Sequence, residues 1–503
     1  MKRLSSPEFP PLGLLVFVVG AASLGAEIAA ARLMAPFFGA STIVWANTIG
    51  VVLVSLSVGY WVGGRFADRH PHRQGLCTLV LIAGLAVALI PFVADPFLDV
   101  SVDALDQVSA GAFIGSLLAV SVLVAPPVML LGAASPYAIR LAVERIEESG
   151  TVAGRMYAIS TVGSLVGTWS SALLFVPLLG TRRTFLLFGL LCALVALTGV
   201  RRRAAIAVPA MIAALLAIPV GTIKAAGDGV VLEEVDSEYQ YARVVQEPDG
   251  ERKLELNEGQ AVHSLYRPGT YLTGDIWDEY LVLPFAALPR PPERVAILGN
   301  AAGTTARAYG RYFPGSRVDG VEIDGELSRL GRRWFDMRNP RLRVHHEDAR
   351  PYLRRTDERY DLIMVDAYRQ PYIPFYLATR EFFGLVRDRL RPGGAVVVNA
   401  GHPEGQDDLE QVLGATMDAV FETVLRDPSE DTNTLLLGTN AGASRAQLAR
   451  AAQSLHRDLR PLALAAVARL APRLPGGTVY TDDKAPVEWL IDKSIVEYAA
   501  DAE

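Results

Sequence analysis

The sequence is poor in charge and almost devoid of cysteine. Only 20% of its 503 residues are Asp, Glu, Lys or Arg, 51% are hydrophobic, and the mean hydropathy is +0.26. So apolar a composition excludes a disordered chain and argues against a purely soluble protein. The two cysteines, Cys77 and Cys192, lie inside apolar runs, so neither a disulfide framework nor a Cys-based metal site is expected. The phosphate-binding pattern GxxxxGK[ST] is missing, which removes support for ATP hydrolysis. Ser264 lacks a Gly-x-Ser-x-Gly context, which disfavours a serine hydrolase. His263, His345 and His346 lack the spacing of a zinc-ligand set, so no metal is expected. A cleavable signal pattern is also absent. Met1-Lys2-Arg3 leads into the first of many apolar runs and reads as an anchor.

What charge there is divides unevenly. Residues 1–223 carry 14 Lys/Arg and 10 Asp/Glu, a net of +4. The remainder carries 34 and 44, a net of −10. An apolar, mildly basic half is joined to an acidic, water-soluble one. The acidic balance argues against nucleic acid and leaves room for cationic ligands.

A helix needs roughly 20 apolar residues to cross a hydrocarbon core of ~30 Å. About seven runs qualify as candidates: 11–33, 41–64, 75–95, 111–134, 157–180, 184–200 and 204–223. The sixth is short and the seventh ends near Pro219. The sequence therefore predicts a transmembrane helical domain over 1–223, with the lipid bilayer as a partner and the cell membrane as location. Arg65, Arg69 and Arg73, then Arg140, Arg145 and Arg155, then Arg201, Arg202 and Arg203 mark alternate connections. The charge rule puts these and the N-terminus in the cytoplasm, with Arg182-Arg183 dissenting. Glu27, a carboxylate within the first run, is either functional or paired with Arg32 or a neighbouring helix. Gly59-x-x-x-Gly63 would allow close helix contact.

Beyond residue 224 the pattern changes. Short alternating strands are expected over 229–262, within a small β subdomain at 224–290. From 291 to 503 strands alternate with helices, which implies a parallel α/β sheet with its site at the strands' C-terminal ends. Leu298 is followed by the turn Gly299-Asn300-Ala301-Ala302-Gly303, where Gly299 and Gly303 let backbone approach a ligand. Later strands run into Glu322, Glu347-Asp348 and Asp366. An acid after the second strand can accept both ribose hydroxyls, and one after the third can accept from an adenine amino group. Nucleoside binding is the better reading, and a dinucleotide enzyme is the nearer competitor.

These motifs make a resemblance specific. Leu256-Asn257-Glu258-Gly259-Gln260, Trp277-Asp278-Glu279-Tyr280, Val321-Glu322-Ile323-Asp324, Glu347-Asp348-Ala349 and Asp361-Leu362-Ile363-Met364-Val365-Asp366 resemble the spermidine synthase (aminopropyltransferase) family. The late Thr481-Asp482-Asp483-Lys484-Ala485-Pro486-Val487-Glu488 resembles its membrane-fused relatives. The resemblance implies a class I methyltransferase-like (Rossmann-like) domain. It also implies decarboxylated S-adenosylmethionine or S-adenosylmethionine as co-substrate. Gln260, Glu322, Asp348 and Ala349 match positions that hold thioadenosine, and Asp366 matches the acid that takes the attacking amine's proton. Tyr368, Asp278 and Glu279 are the implied substrate-side residues, with Asp275, Asp482 and Asp483 as further acids.

Three positions depart from the family. The acid of the glycine turn is matched by Ala302, the second acid after the fourth strand by Arg369, and a tyrosine by Trp277. The expected activity is aminopropyl transfer to an amine acceptor by a membrane-anchored transferase. Methyl transfer from S-adenosylmethionine is the alternative, as is a carrier or sensor with a non-catalytic nucleoside module. Homo-oligomerisation is left open. Seven crossings send the C-terminal half outside, whereas supply of an adenosylated sulfonium puts it in the cytoplasm.

Overall fold

The computed structural model describes residues 12–38, 42–106, 112–200, 202–218, 229–257, 262–368, 373–402 and 404–491. The chain divides into two units, Met1–Lys224 and Ala225–Glu503.

Among its described residues, unit one is built of helices joined by short connections, as its apolar runs predict. Its helices are α1 (Leu12–Phe38), α2 (Thr42–Arg69), α3 (Arg73–Asp106), α4 (Ala112–Leu123), α5 (Ala125–Ala142), α6 (Ser149–Ser170), α7 (Val176–Leu179), α8 (Thr181–Leu197) and α9 (Ala207–Ala217). The chain bends by 52° between α4 and α5, where Pro126-Pro127 withdraw two N–H donors from the ladder. A π-helical turn, Ser171–Phe175, joins α6 to α7 just before Pro177, and Gly180, at φ +83°, ends the run. Helices Leu12–Phe38, Val44–Arg69, Arg73–Ala94 and Ile146–Leu179 are long and apolar enough to cross a membrane, and the bent α4–α5 pair makes a fifth. The other two expected spans are α8, with 17 residues, and α9, with 11. Lengths therefore carry the first five of the seven runs, and α9 falls well short.

Glycine sets the helix contacts. A Cβ at Gly59 would lie 2.3 Å from the Met129 carbonyl oxygen, and one at Gly63 would strike Ala133. The Gly59-x-x-x-Gly63 face thus meets α5 backbone to backbone. Gly20, Gly163 and Gly167 do the same between α1 and α6, where Ser164 and Ser171 hydroxyls donate to the Gly20 and Gly25 carbonyls at 3.2 and 3.0 Å. Glu27 lies on this central helix among buried Ser23, Ala30 and Ala31.

Unit two opens with an antiparallel sheet in strand order: β1 (Val230–Asp236), β2 (Tyr241–Gln246), β3 (Arg252–Leu256) and β4 (Val262–Tyr266). Then comes a wound α/β layer: β5 (Arg294–Leu298), α10 (Thr304–Tyr312), β6 (Arg317–Val321), α11 (Gly325–Trp334), β7 (Leu342–His345), α12 (Ala349–Arg355), β8 (Tyr360–Val365), α13 (Arg380–Arg389) and β9 (Leu390–Gly401). It closes with α14 (Asp408–Asp418), the hairpin β10 (Thr423–Glu430) and β11 (Asn433–Thr439), α15 (Arg445–Ala452), α16 (Arg460–Arg469) and β12 (Ala471–Pro472). The sheet order is β12-β10-β11-β9-β8-β5-β6-β7, parallel from β9 to β7 and antiparallel beyond. The chain leaves β5 in one direction for β6 and β7, then returns to its other side for β8 and β9. That reversal opens a crevice at the C-terminal ends of β5 and β8. Ala242, Val244, Leu254 and Leu256 of the small sheet pack on Ala302, Leu327, Leu330 and Phe335, so this sheet walls the crevice. The Ala/Leu-rich stretch near the end forms two helices, α15 and α16, whose Leu448, Ala452, Ala463 and Ala466 are buried in the core.

Candidate functional site

A cavity of about 600 Å³ occupies this crevice. Its floor is the Gly299 turn. Gly299 holds φ +90°, and a Cβ there would sit 2.2 Å from the Asp366 carbonyl oxygen. Only glycine lets the ends of β5 and β8 approach so closely. Gly303, at φ +85°, starts α10 against Met337 and does not line the cavity.

Glu322, at the end of β6, is buried and lines the cavity. Its carboxylate accepts the Ala301 N–H at 2.8 Å and the Asp324 N–H at 3.0 Å. Burial pushes its pKa up to about 7, against the pull of those backbone donors. Each oxygen keeps a lone pair for a further donor. Asp348 caps α12 by accepting the Arg350 N–H at 2.9 Å, and the Tyr376 hydroxyl donates to its other oxygen at 2.6 Å. Ala349 lies beside it on the wall.

Asp366 follows β8 at the switch point. The Asn399 side-chain N–H donates to its Oδ1 at 3.0 Å, and the Trp277 side chain is its second partner. Burial raises its pKa to about 6 and these donors restrain the rise. Tyr368 lies two residues on. Its hydroxyl donates to the Asn399 carbonyl at 3.1 Å and accepts the Gly401 N–H at 2.5 Å, which ties the β8 loop to β9.

Six expected residues, Gly299, Glu322, Asp348, Ala349, Asp366 and Tyr368, therefore surround one cavity. Two expected substrate residues do not. Asp278 turns back to accept the Thr273 and Gly274 N–H groups at 2.9 and 2.7 Å and the Thr273 hydroxyl at 2.9 Å. Glu279 pairs with Arg469 at 2.9 Å, and Arg469 also binds Asp427 at 2.7 Å. Both carboxylates are buried and organise the fold, which corrects their assignment to the substrate. Asp482 is likewise committed, to Arg350 at 2.5 Å and the Thr379 hydroxyl at 2.8 Å. Gln260 and Arg369 lie outside the described residues. Ala302 is buried in the core, donates its N–H to the Ser264 hydroxyl at 3.0 Å, and does not face the cavity. His345 sits against Asp319 at 2.9 Å, and His263 lines the cavity.

Sequence reasoning missed Asn399, Tyr376 and the strip of His402, Thr432 and Asn433. Asn399 had a signal, since it ends the run Ala395-Val396-Val397-Val398 just as Asp366 ends the strand before. The β10–β11 hairpin that supplies Thr432 and Asn433 had none.

Residues 278–427 match the family profile described as the Spermine/spermidine synthase domain. A probable polyamine aminopropyl transferase from Bifidobacterium longum is 32% identical over 288 residues, 53% of this chain and 64% of its own. Polyamine aminopropyltransferase 1 from Streptomyces coelicolor is 26% identical over 444 residues, 80% of each chain. Among solved structures, a probable spermidine synthase from Corynebacterium glutamicum aligns with a TM-score of 0.40 and 22% identity, over 51% of this chain and 98% of its own. The chain thus spans just under two thirds of the first relative's length. In its matched segment and its acid-ended parallel strands, the C-terminal unit is similar to the spermidine synthase family.

Proposed function

We propose that this protein is a membrane-anchored aminopropyltransferase that uses decarboxylated S-adenosylmethionine and an amine acceptor. The observation that carries the reading is Asp366, a half-buried carboxylate lining the cavity at the switch point, with its pKa pushed up to about 6. An attacking amine must shed a proton, and its ordinary pKa near ~10 leaves little free base at neutral pH. The nitrogen lone pair forms a bond to the aminopropyl carbon attached to the sulfonium. The carbon–sulfur bond breaks and its electron pair returns to sulfur, which leaves neutral methylthioadenosine. The proton leaving nitrogen passes to Asp366. Glu322 and Asp348 suit the ribose hydroxyls and adenine amine, because each retains acceptor capacity facing the cavity. The polyamine aminopropyltransferase names of the relatives support the same reading.

A second reading, methyl transfer from S-adenosylmethionine, has one observation in its favour. The residues of the glycine turn that line the cavity, Gly299 and Ala301, bring no carboxylate to repel a methionine carboxylate. The full-length protein, given each sulfonium in turn with a diamine, separates the two. Release of methylthioadenosine from the decarboxylated form, falling on the order of 100-fold or more in Asp366→Asn, is expected. Methyl transfer with no methylthioadenosine release overturns the first reading.

The helix lengths support a cytoplasmic C-terminal unit. The apolar helix Arg203–Ala217, which α9 ends, is roughly 23 Å long, short of a core of ~30 Å. Six crossings, the five long spans and α8, return the chain to the side of its N-terminus. The arginines after α2, after α5 and after α8 then share that side. Arg182, the dissenting charge, lies over the Phe92 ring at 4.3 Å.

A further inference from the structure

The two ends of the parallel strands differ in charge. The C-terminal ends bring Glu322, Asp348 and Asp366 to the cavity. The N-terminal ends carry arginine. Arg317 opens β6, and Arg341 and Arg359 directly precede β7 and β8. Register places Arg317 beside Arg294, the first residue of β5, and the Val318 N–H donates to the Arg341 carbonyl at 3.0 Å. The crossover helices run back against the strands, so their last turns reach the same pole with Arg311 of α10 and Arg332 of α11.

Arg311, Arg317, Arg332, Arg341 and Arg359 are all exposed, and none has a carboxylate partner among the described residues. The acids on these strand ends and connections are taken: Glu293, Asp336, Glu358, Asp361 and Asp388 each pair with another arginine. Asp357 is left to offset five guanidinium groups. Local structure accounts for part of this. Arg311 and Arg332 complement the C-terminal dipoles of their helices, and Arg341 and Arg359 donate to the Gly315 and Leu390 carbonyls at 3.2 and 3.4 Å. A carbonyl takes an N–H but leaves the charge, and neither account reaches Arg317. The result is a basic pole in the half of the chain whose net charge is −10.

We propose that this arginine pole docks on an anionic lipid surface and so turns the cavity mouth toward the aqueous phase. The proposal rests on the membrane-anchored reading with a cytoplasmic C-terminal unit, and not on which sulfonium reacts. Lipid is favoured over other polyanions by the tether. The helix α9 ends at Ala217 and β1 begins at Val230, and the twelve residues between them reach at most ~43 Å. Anchored helices therefore hold the pole at high effective concentration beside the bilayer. Arginines near an anionic leaflet are attracted within about a Debye length of it.

The test measures energy transfer from the pole to lipid headgroups. Gly315, between α10 and β6, is exposed and has open space at its Cβ position, whereas Cys77 and Cys192 are buried. A fluorophore on Gly315→Cys therefore reports the pole alone. Full-length protein is placed in lipid discs of phosphatidylcholine, with or without phosphatidylglycerol, each doped with a headgroup-labelled acceptor lipid. Transfer is expected to be higher in the anionic discs at low salt and to fall to the neutral-disc value at high salt. Arg311→Gln, Arg317→Gln and Arg341→Gln combined should weaken docking on the order of 100-fold, with a thermal midpoint near the parent's reporting an intact fold. The salt comparison on the parent needs no variant and decides even if the triple substitution unfolds the chain. Equal transfer in the two kinds of disc at low salt, or transfer that a folded triple variant retains, overturns the proposal alone. Transfer that responds to added RNA and not to phosphatidylglycerol assigns the pole to nucleic acid and overturns it as well. Protein that enters neither kind of disc overturns the anchored reading, and the docking with it.

Discussion

Asn399 donates its side-chain N–H to Asp366 Oδ1 across 3.0 Å, from the end of one parallel strand to the end of its neighbour. The bond holds one carboxylate oxygen in place, and the Trp277 side chain is a second partner of the same group. It also stabilises the charged form of a group that burial would otherwise neutralise. Asn399→Ala should lower kcat for aminopropyl transfer on the order of tenfold to 100-fold, with the nucleoside KM little changed. The acidic limb of the rate profile follows Asp366 and should rise through about pH 6 in the parent protein. Removing the donor favours the protonated acid, so the limb should move to higher pH in the variant. An unmoved limb with the same loss of rate would reduce Asn399 to a structural role.

Glu322 binds its proton more tightly in the folded protein than in the unfolded chain, with its pKa pushed from 4.5 to about 7. The folded state is therefore penalised progressively as pH rises through that window, and fully above it. Glu322→Gln should raise the thermal midpoint of the C-terminal unit at pH 8 and leave it near the parent value at pH 4.5. The same substitution should weaken nucleoside binding, because a carboxylate that accepts from ribose hydroxyls becomes an amide. Thermal unfolding at the two pH values, with and without methylthioadenosine, separates the effects. A variant less stable than the parent at pH 8 would contradict the penalty.

The parallel sheet and its acid-ended strands were legible because each strand carries its own evidence: a short apolar run, then a turn, then Glu322, Asp348 or Asp366. Gly299 was legible for the same reason, and the structure adds the Asp366 carbonyl as the atom that excludes any side chain. Asp278 and Glu279 were misread because an acid's partner is set by tertiary contact. The loop N–H groups that Asp278 caps are near in sequence, but Arg469 is 190 residues from Glu279. In the helical unit, hydropathy marks apolar runs but not where a helix ends, so α9 seemed longer than its 11 residues.

Two glycines of α2 should behave oppositely. A Cβ at Gly59 would meet the Met129 carbonyl oxygen at 2.3 Å, a rigid backbone atom, whereas one at Gly50 meets nothing within 4 Å. Gly59→Ala should therefore force α2 and α5 apart and destabilise the helical unit by about 1–3 kcal/mol, the usual cost of overpacking. Gly50→Ala should be neutral or mildly stabilising, given alanine's advantage of about 1 kcal/mol in a helix. Detergent-solubilised protein, compared by thermal aggregation of the full-length chain, reads both. Equal midpoints for the two variants would mean that the Gly59 contact is not a constraint.

Sidedness follows from the number of crossings, and α9 decides it. Six spans leave the C-terminus on the side of Met1, and seven put it opposite. The arginines after α2, α5 and α8 favour the cytoplasm for that side, and each such charge near a span resists translocation. A fluorescent or phosphatase reporter fused after Glu503 should therefore be active only in its cytoplasmic form. Fusion after Asp106 of α3, on an exported connection by the same count, should show the reverse. Lengthening α9 by inserting about nine leucines after Ala217 should make it span at roughly 20 residues. That insertion should move the C-terminal reporter to the outside and abolish any activity that draws on a cytoplasmic sulfonium donor. An outside reporter in the uninserted chain would mean that α9 crosses despite its length, and the cytoplasmic placement would fall with it.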